Sequence, residues 1–299
     1  MSVLDRLVAL SLPLTPKFVV GRVARRYIAG ETTADAVRVI RELNAKGADA
    51  TVDVLGEFIT DIAEARETAA EYGRMLDAIE REKLRANLSV KLTAFGLGLD
   101  DAVCASLVRD LAQKVAARGS FLRIDMENTP YTDATLTLVR TLRSEGLPVG
   151  CVIQAYLRRT DADIAALAAE GIPVRLCKGI YREAPEVAYQ DREEVRSSYK
   201  RNLRVLFEGK GRVAIATHDE VLVEHAMQLI AELKPAKERY EFQMLLGVRE
   251  RLRDEILAKG HRMRIYVPFG QAWYGYSVRR LRENPAIAGH VFKAMFGGG

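Results

Sequence analysis

Residues 148–181 read PVGCVIQAYLRRTDADIAALAAEGIPVRLCKGIY. Two short runs rich in valine, isoleucine and leucine, 148–156 and 173–181, flank the segment 161–171, DADIAALAAEG. In that middle segment the apolar residues recur at helical spacing and stop at a glycine. Strand, helix, strand is the unit of a parallel sheet covered by helices. The same alternation extends in both directions. Strand-like runs stand at 50–56 (ATVDVLG), 87–95 (NLSVKLTAF), 121–127 (FLRIDME), 212–218 (RVAIATH), 240–247 (YEFQMLLG) and 262–269 (RMRIYVPF), with helical patterns such as 63–84 between them. Counted with the opening pair they make eight, the number of an α/β, (βα)8 barrel of the TIM type. Residues 1–35 read as an N-terminal helical segment packing on that barrel, and 36–299 as one catalytic barrel domain.

Bulk composition agrees with a globular enzyme-sized chain. Of 299 residues 48% are hydrophobic and 28% charged, and the formal net charge is +5. Lysine and arginine are scattered among acids, which argues for anionic ligands and does not by itself call for nucleic acid. Three cysteines without a CxxC spacing, and no HExxH, give neither a disulfide framework nor a zinc site. The apolar stretch at 1–26 is interrupted by Asp5, Arg6 and Lys17 and broken by Pro13 and Pro16, so it reads as a docking segment rather than a transmembrane helix. GLGLDD at 96–101 has an aspartate where a dinucleotide fingerprint needs its third glycine, and no GxxxxGK[ST] or GxSxG occurs.

In a barrel of this kind the chemistry sits at the C-terminal strand ends. Those ends carry Glu57, Lys91, Asp125 with Glu127, Gln154, Arg175 with Lys178, Thr217-His218-Asp219, Gln243 and Tyr266 in turn. A polar group costs free energy inside a barrel unless it is paired, so a polar residue at nearly every end points to an active site. Cations outnumber acids there, which suits an anionic substrate or cofactor. The last helical pattern puts Trp273, Tyr276, Arg280 and Glu283 on one face, with Arg279 about 100° round the helix from Arg280. Glu283 is within reach of either arginine.

Six strings sharpen this picture: SVKLTAFGL (89–97), RIDMEN (123–128), VRLCKGIYRE (174–183), ATHD (216–219), YEFQMLLGV (240–248), and YVPFG (266–270) leading into WYGYSVRRLREN (273–284). In order and spacing, from about residue 27 to 285, the chain resembles the compact, single-function bacterial proline dehydrogenases. That resemblance implies non-covalently bound FAD, oxidation of L-proline to Δ1-pyrroline-5-carboxylate as the first step of proline catabolism to glutamate, and electron delivery to a membrane quinone. It further implies a cytoplasmic protein in loose contact with the inner membrane face, and a separate pyrroline-5-carboxylate dehydrogenase as a partner.

Carried over by position, Arg279 and Arg280 clamp the proline carboxylate, braced by Glu283. Lys91 adds charge on the same side, Asp125 holds Lys91 or an arginine, and Tyr266 and Leu245 wall the ring. Arg175 lies against the flavin, with Asp125 the second catalytic candidate. Met126, Gln154, Cys177, Gly179, Ile180, Tyr181, Thr217 and His218 contact the cofactor, and Arg192 is near its phosphates. Two positions depart from the pattern. Cys177 stands where many members carry an aliphatic residue, and Arg182 where some carry tryptophan. Two other activities stay open: within the resemblance, a flavoenzyme for hydroxyproline or another cyclic amino acid, and from the residues alone, a Schiff-base lyase using Lys91 or Lys178. A catalytically silent binding barrel leaves the polar strand ends without a purpose.

Overall fold

The computed structural model describes residues 26–274 and residue 277. Eight parallel strands close into a barrel in sequence order. They are β1 (Asp49–Val54), β2 (Ala86–Val90), β3 (Leu122–Ile124), β4 (Val149–Gln154), β5 (Val174–Cys177), β6 (Val213–Ala216), β7 (Tyr240–Leu245) and β8 (Met263–Phe269). Closure runs through β8 and β1, in register from Asp49 opposite Arg264 to Val54 opposite Phe269. Among the described residues eight α-helices surround the sheet: α1 (Thr33–Ala45) before β1, then α2 (Ile62–Arg81), α3 (Asp101–Ala117), α4 (Thr132–Ser144), α5 (Thr160–Glu170), α6 (Arg192–Glu208), α7 (Glu220–Leu233) and α8 (Glu250–Ala258). Helix α1 packs on both β8 and β1, covering the seam at which the barrel closes. It starts at a Thr32–Asp35 capping box, so it crosses the boundary expected at residue 35.

Successive strand residues point to opposite faces of the sheet. Ala50 and Val52, Leu88 and Val90, Leu122 and Ile124, Val174 and Leu176, and Ile265 and Val267 alternate outward and are buried under the helices. The intervening positions face the barrel axis and are mostly polar: Thr51 and Asp53, Asn87 and Ser89, Arg123, Arg175, Glu241 and Gln243, Arg264 and Tyr266. Hydrogen bonds between non-adjacent strands confirm this orientation, since Arg175 on β5 reaches Gln243 on β7. The apolar core therefore lies between sheet and helices, and the barrel interior is a charged, hydrogen-bonded column.

All eight expected strands are present, but several end earlier. The run at 87–95 leaves the sheet after Val90, and Leu92–Phe95 forms a fully buried 3-10 turn closed by Gly96 in the left-handed region. A short apolar run has no periodicity that separates a strand from a buried turn. The run at 121–127 likewise stops at Ile124. Asp125, Met126 and Glu127 lie in the segment beyond, where the Asp125 amide still donates to Val90 O at 2.8 Å.

Candidate active site

Four predicted residues meet at the C-terminal end of the barrel. Lys91 follows β2, Asp125 follows β3, Arg175 is in β5 and Tyr266 in β8. Lys91 Nζ donates to the Tyr266 hydroxyl at 3.2 Å, and that hydroxyl donates to Asp125 Oδ2 at 2.9 Å. Asp125 Oδ1 receives Arg175 Nη1 at 2.7 Å and the Ser89 hydroxyl at 2.6 Å. The Arg175 guanidinium and the Lys91 ammonium both lie near the Tyr266 ring, at 5.4 and 5.8 Å from its centroid. Burial raises the pKa of Asp125, but Arg175 and Lys91, with hydrogen bonds from Ser89 and Tyr266, more than reverse this and hold the carboxyl below its ordinary value. Of the two partners allowed for Asp125, the structure selects the arginine.

Lys91 is held by a residue that strand-end reading passed over. Its Nζ lies 2.6 Å from Asp53 Oδ2, and Asp53 is wholly buried in β1. Burial raises the Asp53 carboxyl against the opposing pull of Lys91. Tyr72 of α2 closes this corner: its hydroxyl donates to Ser89 O at 2.7 Å and receives the Val54 amide at 3.0 Å. The signal for Asp53 was present in β1, where Asp49, Thr51 and Asp53 recur every second residue and so share the inward face.

Beneath the cluster a column continues along the axis. Arg175 Nε donates to Gln243 Oε1 at 2.6 Å, Gln243 Nε2 to Glu241 Oε1 at 2.6 Å, and Arg264 Nε to the same Glu241 oxygen at 2.7 Å. The fork of Arg175 is thereby fixed at Nε and Nη1. Its Nη2 is buried and has no hydrogen-bond partner.

A second cluster gathers around β5 and β6. Asp219 receives Arg196 through both Nε and Nη2, at 2.9 and 2.8 Å, and Lys178 at 3.3 Å. Burial raises this carboxyl, but Arg196 and Lys178 outweigh it and bring it down to about 2. Arg192, expected near cofactor phosphates, opens α6 as a largely exposed side chain 3.8 Å from Asp219. Arg196, one turn further along the same helix face, was missed, although its spacing of four from Arg192 marks it. Neither lysine considered for a Schiff base stands apart from a carboxylate, since Lys91 pairs with Asp53 and Lys178 with Asp219.

The remaining candidates are held in different ways. Gln154 Nε2 donates to Glu127 O at 2.9 Å, and Glu127 accepts both the amide and the hydroxyl of Thr93. Desolvation pushes Glu127 up to about 7. Met126 and Thr217 are buried, Cys177 is partly buried and Ile180 is exposed. Gly179 has φ +111°, and a Cβ there would lie 2.1 Å from the Tyr156 ring, so the turn after β5 passes Tyr156 only as glycine. Leu245 sits opposite Tyr266 in the β7–β8 register. Arg279, Arg280 and Glu283 lie outside the described residues. Among the described residues no group of His, Cys, Asp and Glu could hold a metal ion.

His218 Nε2 accepts the Leu245 amide at 2.9 Å, which keeps the imidazole neutral on that side. Burial, with Lys178 and Arg249 nearby, lowers its pKa from 6.5 to about 4. The unfolded chain therefore takes up this proton near pH 6.5 and the fold only near 4. In that window the unfolded state binds more protons, so this contribution is complete above pH 6.5 and is lost as pH falls through 4. The expected loss approaches about 3 kcal/mol. His218→Gln, which keeps an acceptor without the titration, should remove that slope from melting curves taken between those pH values. An unchanged slope would contradict the assignment.

Tyr266→Phe removes the hydroxyl that links Lys91 to Asp125 without removing the ring. A hydrogen bond to a buried charge contributes about 1.5–3 kcal/mol. The expected result is a roughly tenfold or greater fall in kcat/KM for the substrate with a modest loss of stability. Steady-state kinetics beside a thermal melt will show it, and parity with the parent would exclude a role for the hydroxyl.

Comparison with known proteins gives a consistent result. A family model described as proline dehydrogenase matches residues 36–293. "Proline dehydrogenase 1" of Bacillus subtilis is 35% identical over 272 residues, which is 91% of this chain and 90% of that protein. "Proline dehydrogenase" of Deinococcus radiodurans is 33% identical over 280 residues, 92% of this chain and 90% of the relative. Among solved structures, proline utilization A of Bdellovibrio bacteriovorus inactivated by N-propargylglycine superposes with a TM-score of 0.81 at 28% identity. That match covers 88% of this chain and 32% of the larger one, so the present chain spans about a third of that protein.

Proposed function

The chain belongs to the proline dehydrogenase family, and from that premise we propose that it oxidises L-proline to Δ1-pyrroline-5-carboxylate on non-covalently bound FAD, with a quinone as the final acceptor. It is an oxidoreductase of the first step of proline catabolism. The observation that carries the finer reading is the buried Arg175 fork, held at two nitrogens with Nη2 left without an acceptor. A buried orphan donor on a cation suits an electron-rich acceptor edge, and an isoalloxazine offers one. The Gly179 turn, Gln154, Met126, Thr217 and His218 would hold the cofactor, while the cations Arg192 and Arg196 suit its phosphates.

When bound, FAD supplies the two-electron acceptor for the ring carbon beside the amine. The chain supplies the rest. Lys91, held by Asp53, presents an ammonium to the substrate carboxylate, and Arg279 and Arg280, braced by Glu283, would complete the clamp. Clamping so small a ring leaves it few orientations, and proximity of this kind contributes several kcal/mol to lowering a barrier. The surplus of cations lowers the pKa of a bound ammonium and favours the neutral amine. Arg175 stabilises negative charge that develops beside Nη2. Tyr266 and Leu245 wall the ring, and Asp125 fixes the positions of Arg175 and Tyr266. Among the described residues no helix is long and apolar enough to cross a membrane. The imine product, which opens to an aldehyde in water, suits onward oxidation by a separate dehydrogenase.

A visible absorption spectrum of the purified protein, taken before and after anaerobic addition of L-proline, tests the reading. The expected result is a flavin spectrum that bleaches. A flavin spectrum unmoved by proline would transfer the site to another cyclic amino acid such as hydroxyproline, and a colourless protein that FAD does not restore would remove the flavin.

A further inference from the structure

The end of the barrel opposite the active site holds an unexplained excess of positive charge. A cavity of about 710 Å³ opens there between the N-terminal ends of the strands, a size common for small-molecule sites. Seven of its lining residues are cations and three are acids, Asp49, Glu80 and Glu241. Asp49 is shared among Arg85, Arg262 and Arg264, Glu241 is taken by Arg264, and Glu80 by Arg118. Lys83, Arg123 and Arg212 remain, and no carboxylate among the described residues pairs with them.

Arg123 is the informative one. It is only 4% exposed. Its Nη1 donates to two backbone carbonyls, Cys151 O at 2.7 Å and Pro173 O at 2.8 Å, and its guanidinium stacks on Phe121 at 4.8 Å. Its Nε is buried with no hydrogen-bond partner. The slot is built for it: a Cβ on Gly150 would lie 2.4 Å from Pro173 O and 2.9 Å from Arg123 Nη1. Burial first, and then the charge of Arg175, bring Arg123 down to about 9 against the smaller opposing pull of Glu241 and Asp125. A buried charge without a counter-ion is costly, and a guanidinium fork is matched geometrically by a tetrahedral oxyanion.

We propose that the N-terminal mouth of the barrel binds a phosphate-class anion, with Arg123 at the floor and Arg212 and Lys83 at the rim. The site is separate from the redox centre, although the Arg264–Glu241–Gln243 column connects the two ends.

Isothermal titration of inorganic phosphate, and separately of glycerol 3-phosphate, into the FAD-saturated full chain at fixed ionic strength tests this. Saturating the chain with FAD keeps the cofactor's own phosphate contacts out of the measurement. One saturable site is expected, weakened about tenfold or more in Arg212→Ser and Arg123→Gln. It should be unaltered in Lys178→Gln at the opposite face, and proline turnover of Arg212→Ser should be unchanged. Tighter binding of glycerol 3-phosphate than of phosphate assigns the rest of the cavity to an organic body, and equal binding identifies the free ion. Heat that does not saturate overturns the proposal, as does a site that persists in Arg212→Ser or disappears in Lys178→Gln. Arg212 is exposed and outside the hydrogen-bonded column, so its variant decides the question even if Arg123→Gln fails to fold.

Discussion

On the flavin reading proposed above, Arg175→Lys is expected to lower the rate of anaerobic flavin reduction by proline about 10²- to 10³-fold while the barrel stays folded. Lysine retains the positive charge beside Asp125, so the buried carboxylate keeps a counter-ion and the structure survives. What lysine lacks is the planar fork. One ammonium cannot reach Gln243, Ser89 and Asp125 together as Nε and Nη1 do, nor can it aim a further donor where Nη2 lies. The loss should therefore fall on kcat and on flavin retention rather than on the apparent affinity for proline. Stopped-flow reduction, with bound flavin quantified by absorbance, separates these terms. A rate within twofold of the parent would mean that charge alone matters at this position, and that Nη2 has no part in the chemistry.

Asp53→Ala produces the largest loss of stability among single changes at this site. It takes from the buried Lys91 ammonium the carboxylate that it meets at 2.6 Å, while the Tyr266 hydroxyl remains at 3.2 Å. Breaking a buried ion pair from one side costs about 3–5 kcal/mol. For a chain of this size that corresponds to a fall in melting temperature of roughly 5–8 °C. Because the cost comes from the stranded charge rather than from a lost attraction, the double variant Asp53→Ala/Lys91→Met should recover much of the stability of the parent. Activity should not return with it, since Lys91 is proposed to carry charge toward the substrate carboxylate. Melting curves and proline turnover for the three variants complete the cycle. Additive losses in the double variant would show that Asp53 and Lys91 are not coupled, against the 2.6 Å contact.

The same pair shows where reading the chain one residue after another stops being informative. The eight strands were legible because their period of two, and the helical period between them, are local properties of a dozen residues at a time. Lys91, Asp125, Arg175 and Tyr266 were legible as candidates because a barrel delivers every strand end to one face. The choice of partners was not. Lys91 could have paired with Asp125, which shares its rim, and pairs instead with Asp53, 38 residues earlier in the chain. Arg175 selects Asp125, 50 residues away, and Gln243, 68 residues away. Such choices depend on which inward side chains the stagger of the closed sheet brings to one level along the axis, and no local period encodes that level.

Strand limits failed for a related reason. LTAF is as apolar as the strand before it, and only the packing of α2 and α3 over it makes it a buried turn. The basic mouth at the far end is the extreme case. Arg85, Arg123, Arg212 and Arg264 stand far apart along the sequence, and nothing local marks them as one group. Barrel closure gathers them around one cavity and distributes the few available carboxylates among them, leaving the excess where only the tertiary structure could put it. Periodicity thus determined the fold class and the face that bears the chemistry. Three-dimensional closure decided the pairing of charges, because Coulomb energy depends on distance through space and not along the chain.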